Sequence, residues 1–407
     1  MMNYQPENFA DRIEQIALVE NMLTSFGRGG SRVILVEGER GLGKTWLALH
    51  MHRTILSQKE RVKSLLILMM SPPEITTAPG EYHLPSLASQ KSESREIQQQ
   101  IQDLLEWMAN ELKVSLPPNP VLDEICDRII QKIKSDEFTR YWLLLDSVYE
   151  SPWEFVEAFE TVFLMRFLAL PNAFLWASGR GKPYPWKTPE ATRAQICPLE
   201  PFNEDGLKEQ LQKMGFTGTE LEERLEWVKE LGAGIPLLTH TLVQETEKNQ
   251  ALEKAVQVLL EFLPGEKRQE IRSYLEPLSV LDGFREEEMA YLLKGDEDSV
   301  SLPLPKVRTI RDALLQVFLI RWENSRFVLD RPLQKVLQEY LRVCKPEQWE
   351  MWNRRMIKYF EEQMSSPAFR KYENFLKKKI EYHRHLLGGN ENTPIATATS
   401  VPGQGIL

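Results

Sequence analysis

The chain has 407 residues, 42 % hydrophobic and 27 % charged, which is typical of a globular protein with a domain for roughly every 100–200 residues. Its formal net charge of −9 argues against a protein that mainly coats nucleic acid, although a local basic face stays open. Cys126, Cys197 and Cys344 lie too far apart for a zinc site or a disulfide framework. We find no signal peptide or membrane span, so we expect a cytoplasmic protein without a membrane partner.

The first two hundred residues alternate strand patterns with helix patterns. Strand patterns that are apolar on both faces indicate a buried parallel sheet, and the helices between them indicate crossover connections. A stretch rich in Pro, Ser and Gln, 71–94, predicts an exposed loop. We therefore predict an α/β domain over 1–200. Its strands are predicted at 33–36, 62–70, 141–145, 173–177 and 194–198, and its helices at 44–56, 97–112, 121–134 and 155–168.

Helical patterns dominate the rest of the chain. A helical lid domain is predicted over 201–264, with helices at 204–214, 221–231 and 237–247. Three helices followed by a short hairpin are typical of a winged helix, predicted over 265–345, with further C-terminal helices over 346–387 and a disordered polar tail over 388–407. The winged-helix and C-terminal patterns are helices at 267–281, 286–293, 310–317, 333–342 and 348–364 and strands at 318–322 and 326–329.

The strongest motif is the octapeptide Gly-Glu-Arg-Gly-Leu-Gly-Lys-Thr, which follows the first strand and fits the Walker A pattern. Gly38, Gly41 and Gly43 let backbone N–H groups turn inward around phosphates. Lys44 adds a positive charge over the β- and γ-phosphates, and Thr45 offers a hydroxyl to Mg²⁺. The motif predicts a P-loop that binds ATP or ADP with Mg²⁺.

A second, less specific motif is the apolar strand that ends at Asp146, as a Walker B strand does. Its carboxylate is the candidate partner of Thr45 in a magnesium site, although an acid that ends a strand is also an ordinary turn residue. Glu150 is the candidate base that orients the attacking water. A solvated carboxylate at a helix start is an equal alternative for Glu150.

Four segments resemble motifs of one known protein family and follow each other along the chain in the order of that family. An aromatic-x-x-Arg element ends at Arg12, and the fourth strand leads to Ser178 and Arg180. Gly-Ile-Pro, ending at Pro236, opens a lid helix, and Asp-Ser-Val-Tyr-Glu, from Asp146, looks like a blend of Asp-Asp-Val-Trp and Asp-Gly-x-Asp-Glu. In these motifs the chain resembles the STAND NTPases, the signal-transducing group that includes NB-ARC and NACHT modules, over most of its length.

The resemblance implies roles for single residues. Arg12 would lie over the adenine, and Pro236 would contact the same ring. Ser178 and Arg180 would detect the γ-phosphate, with Arg180 counted among the catalytic candidates together with the Walker residues. Trp46, at the start of the P-loop helix, is a further nucleotide-binding candidate.

The chain departs from the family at two places. Ser147 and Tyr149 stand where the two family forms have acids, so we expect a slow ATPase or one that only exchanges nucleotide. In the winged helix, Val-Leu-Asp replaces the family's Met-His-Asp, so the histidine is missing and Asp330 alone remains as a contact for ADP.

The resemblance implies a signalling switch, closed with ADP and open with ATP, that assembles as a homo-oligomer. Effector or sensor proteins are expected in trans, in a role such as bacterial defence or regulation, unless the chain is part of a longer protein. The alternative is a DNA-binding, AAA+-like initiator or regulator that uses its winged helix, for which the basic stretch 370–379 could contact phosphates, although a solvated helix face is its simpler explanation. A metabolic P-loop kinase is a third option, which the lid and winged helix disfavour.

Overall fold

A computed structural model describes residues 4–24, 30–69, 78–84, 94–180, 183–232, 234–263, 265–295 and 301–388. The chain forms two compact units, Met1–Val243 and Gln244–Leu407. The finer division predicted above, with boundaries at 200, 264, 345 and 387, stays a prediction. The predicted tail lies outside the described residues except for Gly388, which ends a helix.

The first unit is built on a six-stranded parallel sheet, which confirms the predicted α/β fold class. The strand order is β3-β2-β4-β5-β1-β6, so the P-loop strand β1 lies between β5 and β6. The central strands β4 and β5 are buried almost throughout, as their continuous apolar sequences require. The strands are β1 Val33–Glu37, β2 Val62–Leu68, β3 Glu81–His83, β4 Arg140–Asp146, β5 Ala173–Gly179 and β6 Gln195–Pro198.

Helices connect the strands of this sheet. In the helix Leu122–Ser135, Ile125, Ile129 and Ile133 are buried at a spacing of four residues, which gives it one apolar face against the core. Two predicted helices change to π geometry part-way, over Met51–Leu56 and Glu160–Leu164. The helices of this α/β layer are α1 Ile13–Thr24, α2 Lys44–His50, α3 Ser94–Glu111, α4 Leu122–Ser135, α5 Trp153–Phe159, α6 Met165–Leu168 and α7 Pro189–Thr192.

The prediction of an exposed loop over 71–94 is wrong at its described residues. Glu81–His83 form the edge strand β3, which pairs in parallel with β2. Glu81 is buried, and Arg53 neutralises its charge through two hydrogen bonds of 2.5 and 2.7 Å. The N–H of Ala78 also donates to Oε2 of Glu81, at 2.9 Å. A polar Glu-Tyr-His sequence lacks the apolar pattern of a strand, and these partners explain how its acid can be buried.

The lid helices follow the sheet within the same unit. They are α8 Glu204–Lys213, α9 Gly218–Gly232 and α10 Pro236–Val243. The helix predicted to run to 247 ends earlier, at Val243. Residues 244–247 lie outside helical geometry, and a new helix begins at Lys248.

The second unit contains the winged helix within a larger set of helices. The third helix of the winged helix begins at Leu304 rather than at 310 as predicted, because proline, here Pro305, is tolerated in the first turn of a helix. The wing is an antiparallel hairpin, and Phe284 adds a bridge to Phe327 on it. The elements are α11 Lys248–Leu260, α12 Gly265–Leu278, α13 Glu286–Leu292, α14 Leu304–Gln316, β7 Ile320–Glu323, β8 Arg326–Leu329, α15 Arg331–Cys344, α16 Pro346–Ser365 and α17 Glu373–Gly388.

Candidate nucleotide-binding site

The Walker A segment lies between β1 and α2, as its sequence predicts. Gly41 and Gly43 have φ angles of +81° and +86°, a region that residues with a side chain rarely adopt. A Cβ atom on Gly41 would also lie 2.8 Å from Cγ2 of Ile235. Glycine is therefore required at position 41 for two reasons, backbone conformation and space, and Gly38 starts the loop directly after β1.

Lys44, the first residue of α2, folds back over the loop. Its Nζ donates to the carbonyl oxygens of Gly38 at 2.6 Å and Glu39 at 2.8 Å. The side chain is buried, so its charge faces the inside of the loop. This is the arrangement expected of a cation that would exchange loop carbonyls for phosphate oxygens.

Three elements bring their side chains together on Asp146, at the end of β4. Thr45 Oγ1 donates to Oδ2 of Asp146 at 2.8 Å, and Ser178 Oγ, on β5, donates to Oδ1 at 2.7 Å. Burial raises the pKa of Asp146, whereas the hydrogen bonds from Ser178 and Thr45 lower it. Thr45, Asp146 and Ser178, predicted from separate motifs, form one hydrogen-bonded group.

Glu150 and Arg180, the candidate base and the candidate sensor, form an ion pair. Nε of Arg180 donates to Oε1 of Glu150 at 2.7 Å, and the backbone N–H of Arg180 donates to Oε2 at 3.0 Å. The side chain of Glu150 is only 2 % exposed and that of Arg180 is 19 % exposed. The carboxylate is thus bound inside the protein rather than solvated, which argues against the solvent-exposed alternative for Glu150.

Tyr149 packs the segment that follows β4 against the end of β5. A Cβ atom on Gly179 would lie 2.6 Å from the ring of Tyr149, so this close approach depends on glycine. Ser147 adopts a left-handed φ of +62°, which turns the chain sharply after Asp146. Sequence reasoning treated Tyr149 and Ser147 only as substitutes for missing acids and missed their part in this packing.

Arg12 binds the P-loop from the amino-terminal segment. Its guanidinium donates to the carbonyl oxygens of Leu42 at 2.9 Å and Glu200 at 2.8 Å, and it lies over the ring of Phe202. Burial lowers its pKa. The structure therefore gives Arg12 backbone partners, one of them in the P-loop, while its predicted contact with adenine stays a prediction.

The Gly-Ile-Pro element also touches the P-loop. The N–H of Leu237, in the first turn of α10, donates to the carbonyl oxygen of Gly41 at 3.2 Å. A Cβ atom on Gly234 would lie 2.3 Å from the carbonyl oxygen of Phe202, which explains the glycine. Pro236 starts α10 beside these contacts, and its own carbonyl accepts from Gln210 at 2.8 Å.

Two candidates have local partners of other kinds. The ring of Trp46 lies edge-on to Tyr4, with 5.5 Å between centroids. Asp330 caps helix α15 by accepting from the N–H of Leu333 at 3.3 Å. Helix capping is a sufficient structural reason for an aspartate at 330, and its predicted contact with ADP stays a prediction.

The residues present fit a nucleotide and a magnesium ion. The loop presents backbone N–H groups at the start of α2, where an anion is favoured. Thr45 and Asp146 present neighbouring oxygens, which are the ligands that Mg²⁺ prefers. When bound, such an ion neutralises phosphate charge, and Thr45 and Asp146 would hold it.

No protein-family model matches this chain, and no curated protein sequence does. Among solved structures, a Walker-type ATPase of Pyrococcus abyssi matches 83 % of this chain and 98 % of its own, with 16 % identity and a TM-score of 0.50. Cdc6p from Pyrobaculum aerophilum matches 81 % and 94 % (12 % identity, TM-score 0.41), and the Orc1 protein of Aeropyrum pernix, solved in complex with DNA, matches 83 % and 94 % (13 % identity, TM-score 0.40).

At this identity, the likeness to the Walker-type ATPase shows a shared fold. Together with the parallel sheet and the Walker motifs, it establishes that the chain has the fold of a P-loop NTPase with a helical carboxyl-terminal part. None of the described helices is long and apolar enough to cross a membrane.

Proposed function

We propose that this protein is an ATP-dependent molecular switch that binds Mg·ATP in its P-loop and hydrolyses it slowly. The observation that carries the proposal is the convergence of Lys44, Thr45, Asp146 and Ser178 from three elements on one glycine-lined loop. Lys44 would hold phosphate oxygens, and Thr45 and Asp146 would hold the metal. Ser178 would keep the carboxylate of Asp146 oriented.

The ion pair between Glu150 and Arg180 is the basis for slow hydrolysis. Arg180 donates to both oxygens of Glu150, so in this structure the carboxylate is directed towards Arg180 rather than towards an attacking water. The guanidinium of Arg180 would leave Glu150 most readily if another anion bound it in exchange. We propose that the terminal phosphate is this anion, and that Glu150 becomes a base only in the ATP-bound form.

The output of the switch would begin at the P-loop itself. Arg12 holds the carbonyl of Leu42, and Leu237 holds that of Gly41, so two outside segments are bonded to the loop. A change in loop shape on nucleotide binding would alter both contacts. We therefore propose that the amino-terminal segment and helix α10 move first when nucleotide binds. Homo-oligomerisation, or binding of effector and sensor partners in trans, would follow from this change.

Two finer classes stay open for this switch, a STAND-type signalling ATPase and a DNA-binding, AAA+-like initiator or regulator. The solved structures named above, which include an Orc1 protein in complex with DNA, favour the second class. The first class rests on the motif resemblance. The partner, a protein in one case and DNA in the other, separates the two classes.

The charges of the winged helix bear on DNA as the partner. On α14, Arg308 and Arg311 are paired with Glu286. Acidic and basic residues balance in number over 265–345. In the C-terminal lysine run, Lys379 is buried and paired with Asp282. Phosphate binding by these groups would have to compete with existing ion pairs, which disfavours duplex DNA as a tight ligand.

The test is the mass of the purified chain with ADP and then with a non-hydrolysable ATP analogue. The switch predicts different assembly states or different hydrodynamic radii for the two nucleotides, and their loss in Lys44→Ala. Equal affinities for the two nucleotides, with no change in size or shape, would contradict it. A duplex titration in parallel identifies the initiator class if affinity is tight and falls steeply with salt.

A further inference from the structure

A short exposed segment, Pro367–Lys378, combines aromatic rings with positive charge. It contains the 3₁₀ helix Pro367–Tyr372 and the start of α17. Every residue from 367 to 375 is exposed. The exposed fractions of Phe369, Tyr372 and Phe375 are 37, 43 and 42 %, unusual values for three rings within seven residues.

The segment is basic within an acidic protein. The segment contains one acidic residue, Glu373, which is paired with Lys377 at 2.7 Å. It contains four basic residues, namely Arg370, Lys371, Lys377 and Lys378. Among the described residues, Arg370, Lys371 and Lys378 form no ion pair with an acidic side chain. The chain as a whole carries −9, so this local excess of positive charge is complementary to a polyanion.

The rings are arranged for stacking. In a 3₁₀ helix, residues three apart lie above one another, about 6 Å apart along the axis, so Phe369 and Tyr372 point the same way. Lys371 lies over the ring of Tyr372, with 5.0 Å from Nζ to the centroid. The ring of Phe375 is flanked by Arg326 and Lys379, each 5.4 Å away. Arg326 is paired with Glu288, and Lys379 is buried and paired with Asp282, so both stay beside Phe375. Lys371 is exposed and can move away from Tyr372. Phe369 and Tyr372 are therefore the two rings proposed to stack with a ligand.

We propose that Pro367–Lys378 is a binding surface for single-stranded nucleic acid, with bases stacked on Phe369 and Tyr372 and phosphates held by Arg370, Lys371 and Lys378. Non-specific single-strand binding combines these two features, aromatic stacking platforms and a basic track. Helices that bind an anionic membrane present a continuous apolar face of aromatic and aliphatic side chains. In this segment Leu376, which follows Phe375, is buried in the fold and adds nothing to such a face. The surface would act without ATP, so its test is independent of the ATPase proposal.

The experiment titrates a fluorescent twelve-nucleotide oligo(dT) with the full chain, without nucleotide, and follows anisotropy. Three cations predict a salt slope near 2, or about 20-fold weaker binding at 200 mM than at 50 mM salt. Phe369→Ala and Tyr372→Ala should each weaken binding about tenfold. Replacing both Arg370 and Lys371 with Gln should reduce the salt slope by about 1.4.

Phe138→Ala is the matched control, because Phe138 is 77 % exposed and lies near Arg61 in the other unit. It should leave binding unchanged. The proposal is overturned if oligo(dT) does not bind, or if Phe138→Ala weakens it as much as Phe369→Ala. It is overturned equally by tighter binding to a duplex of the same length, or by binding only to vesicles that contain phosphatidylserine.

Discussion

The ion pair between Glu150 and Arg180 makes a quantitative prediction. Arg180→Ala removes the guanidinium from a carboxylate that is 2 % exposed in the unchanged protein. Of the two hydrogen bonds from Arg180, the one from the backbone N–H would remain. Removing one partner of a buried pair costs about 3–5 kcal/mol, and the partial exposure of Arg180 places the expected value near 3. Glu150→Gln keeps an oxygen that can accept from Arg180 and should cost about 1–2 kcal/mol.

The double variant should be about as stable as Arg180→Ala alone or more stable, because a neutral amide at position 150 no longer needs the arginine. The coupling free energy between the two positions is then about 1–3 kcal/mol. The assay is hydrogen exchange of the nucleotide-free protein over β4 and β5, which reports the local free energy of opening. A coupling below about 0.5 kcal/mol would refute the inference that Arg180 neutralises Glu150.

Three further predictions concern the P-loop and the residues that contact it. Gly41→Ala should weaken ATP binding at least tenfold in calorimetry, because the added Cβ would lie against Ile235. Gly215→Ala is the control, because it has a positive φ as well but no atom near the added Cβ. It should only lower the free energy of unfolding, by about 1–3 kcal/mol. Affinity for Mg·ATP should fall as pH is lowered through the raised pKa of Asp146, above the usual 3.8, since only the ionised carboxylate binds the metal; an unchanged affinity would contradict this. Arg12→Lys should lower both ATP affinity and thermal stability, because lysine lacks the guanidinium that donates to two carbonyl oxygens. Arg32→Lys is the control, since it also loses contacts with backbone carbonyls, and it should lower thermal stability alone. Equal effects of the two variants on ATP affinity would refute a P-loop role for Arg12.

The sequence was sufficient for the P-loop and for the sheet. The Walker A residues are contiguous, so their spacing carries the geometry, and the apolar runs of β1, β4 and β5 identify buried strands without knowledge of their neighbours. The approach of Thr45 to Asp146 also follows from the sequence, since the Walker A and Walker B motifs are each expected to contact the same metal ion.

Contacts between distant segments could not be predicted from local patterns. Glu150 and Arg180 were assigned separate roles, and only the pairing of β4 with β5 brings the ends of these strands close enough for an ion pair. Strand β3 was missed because its burial depends on Arg53, which lies far away in sequence. Arg12 was expected over the adenine, whereas its bonds to Leu42 and Glu200 depend on the packing of three segments.

Calorimetric titration of the intact chain with ATP and Mg²⁺ tests the central claim most directly. The account predicts one-to-one binding, and about 10–150-fold weaker binding for Lys44→Ala, the loss expected when a charge-assisted hydrogen bond is removed. Lys59→Ala, an exposed lysine paired with Glu20, is the control and should bind as the unchanged chain does. Absence of binding heat over a range of temperatures, or equal affinities of the Lys44→Ala and Lys59→Ala proteins, would contradict the account.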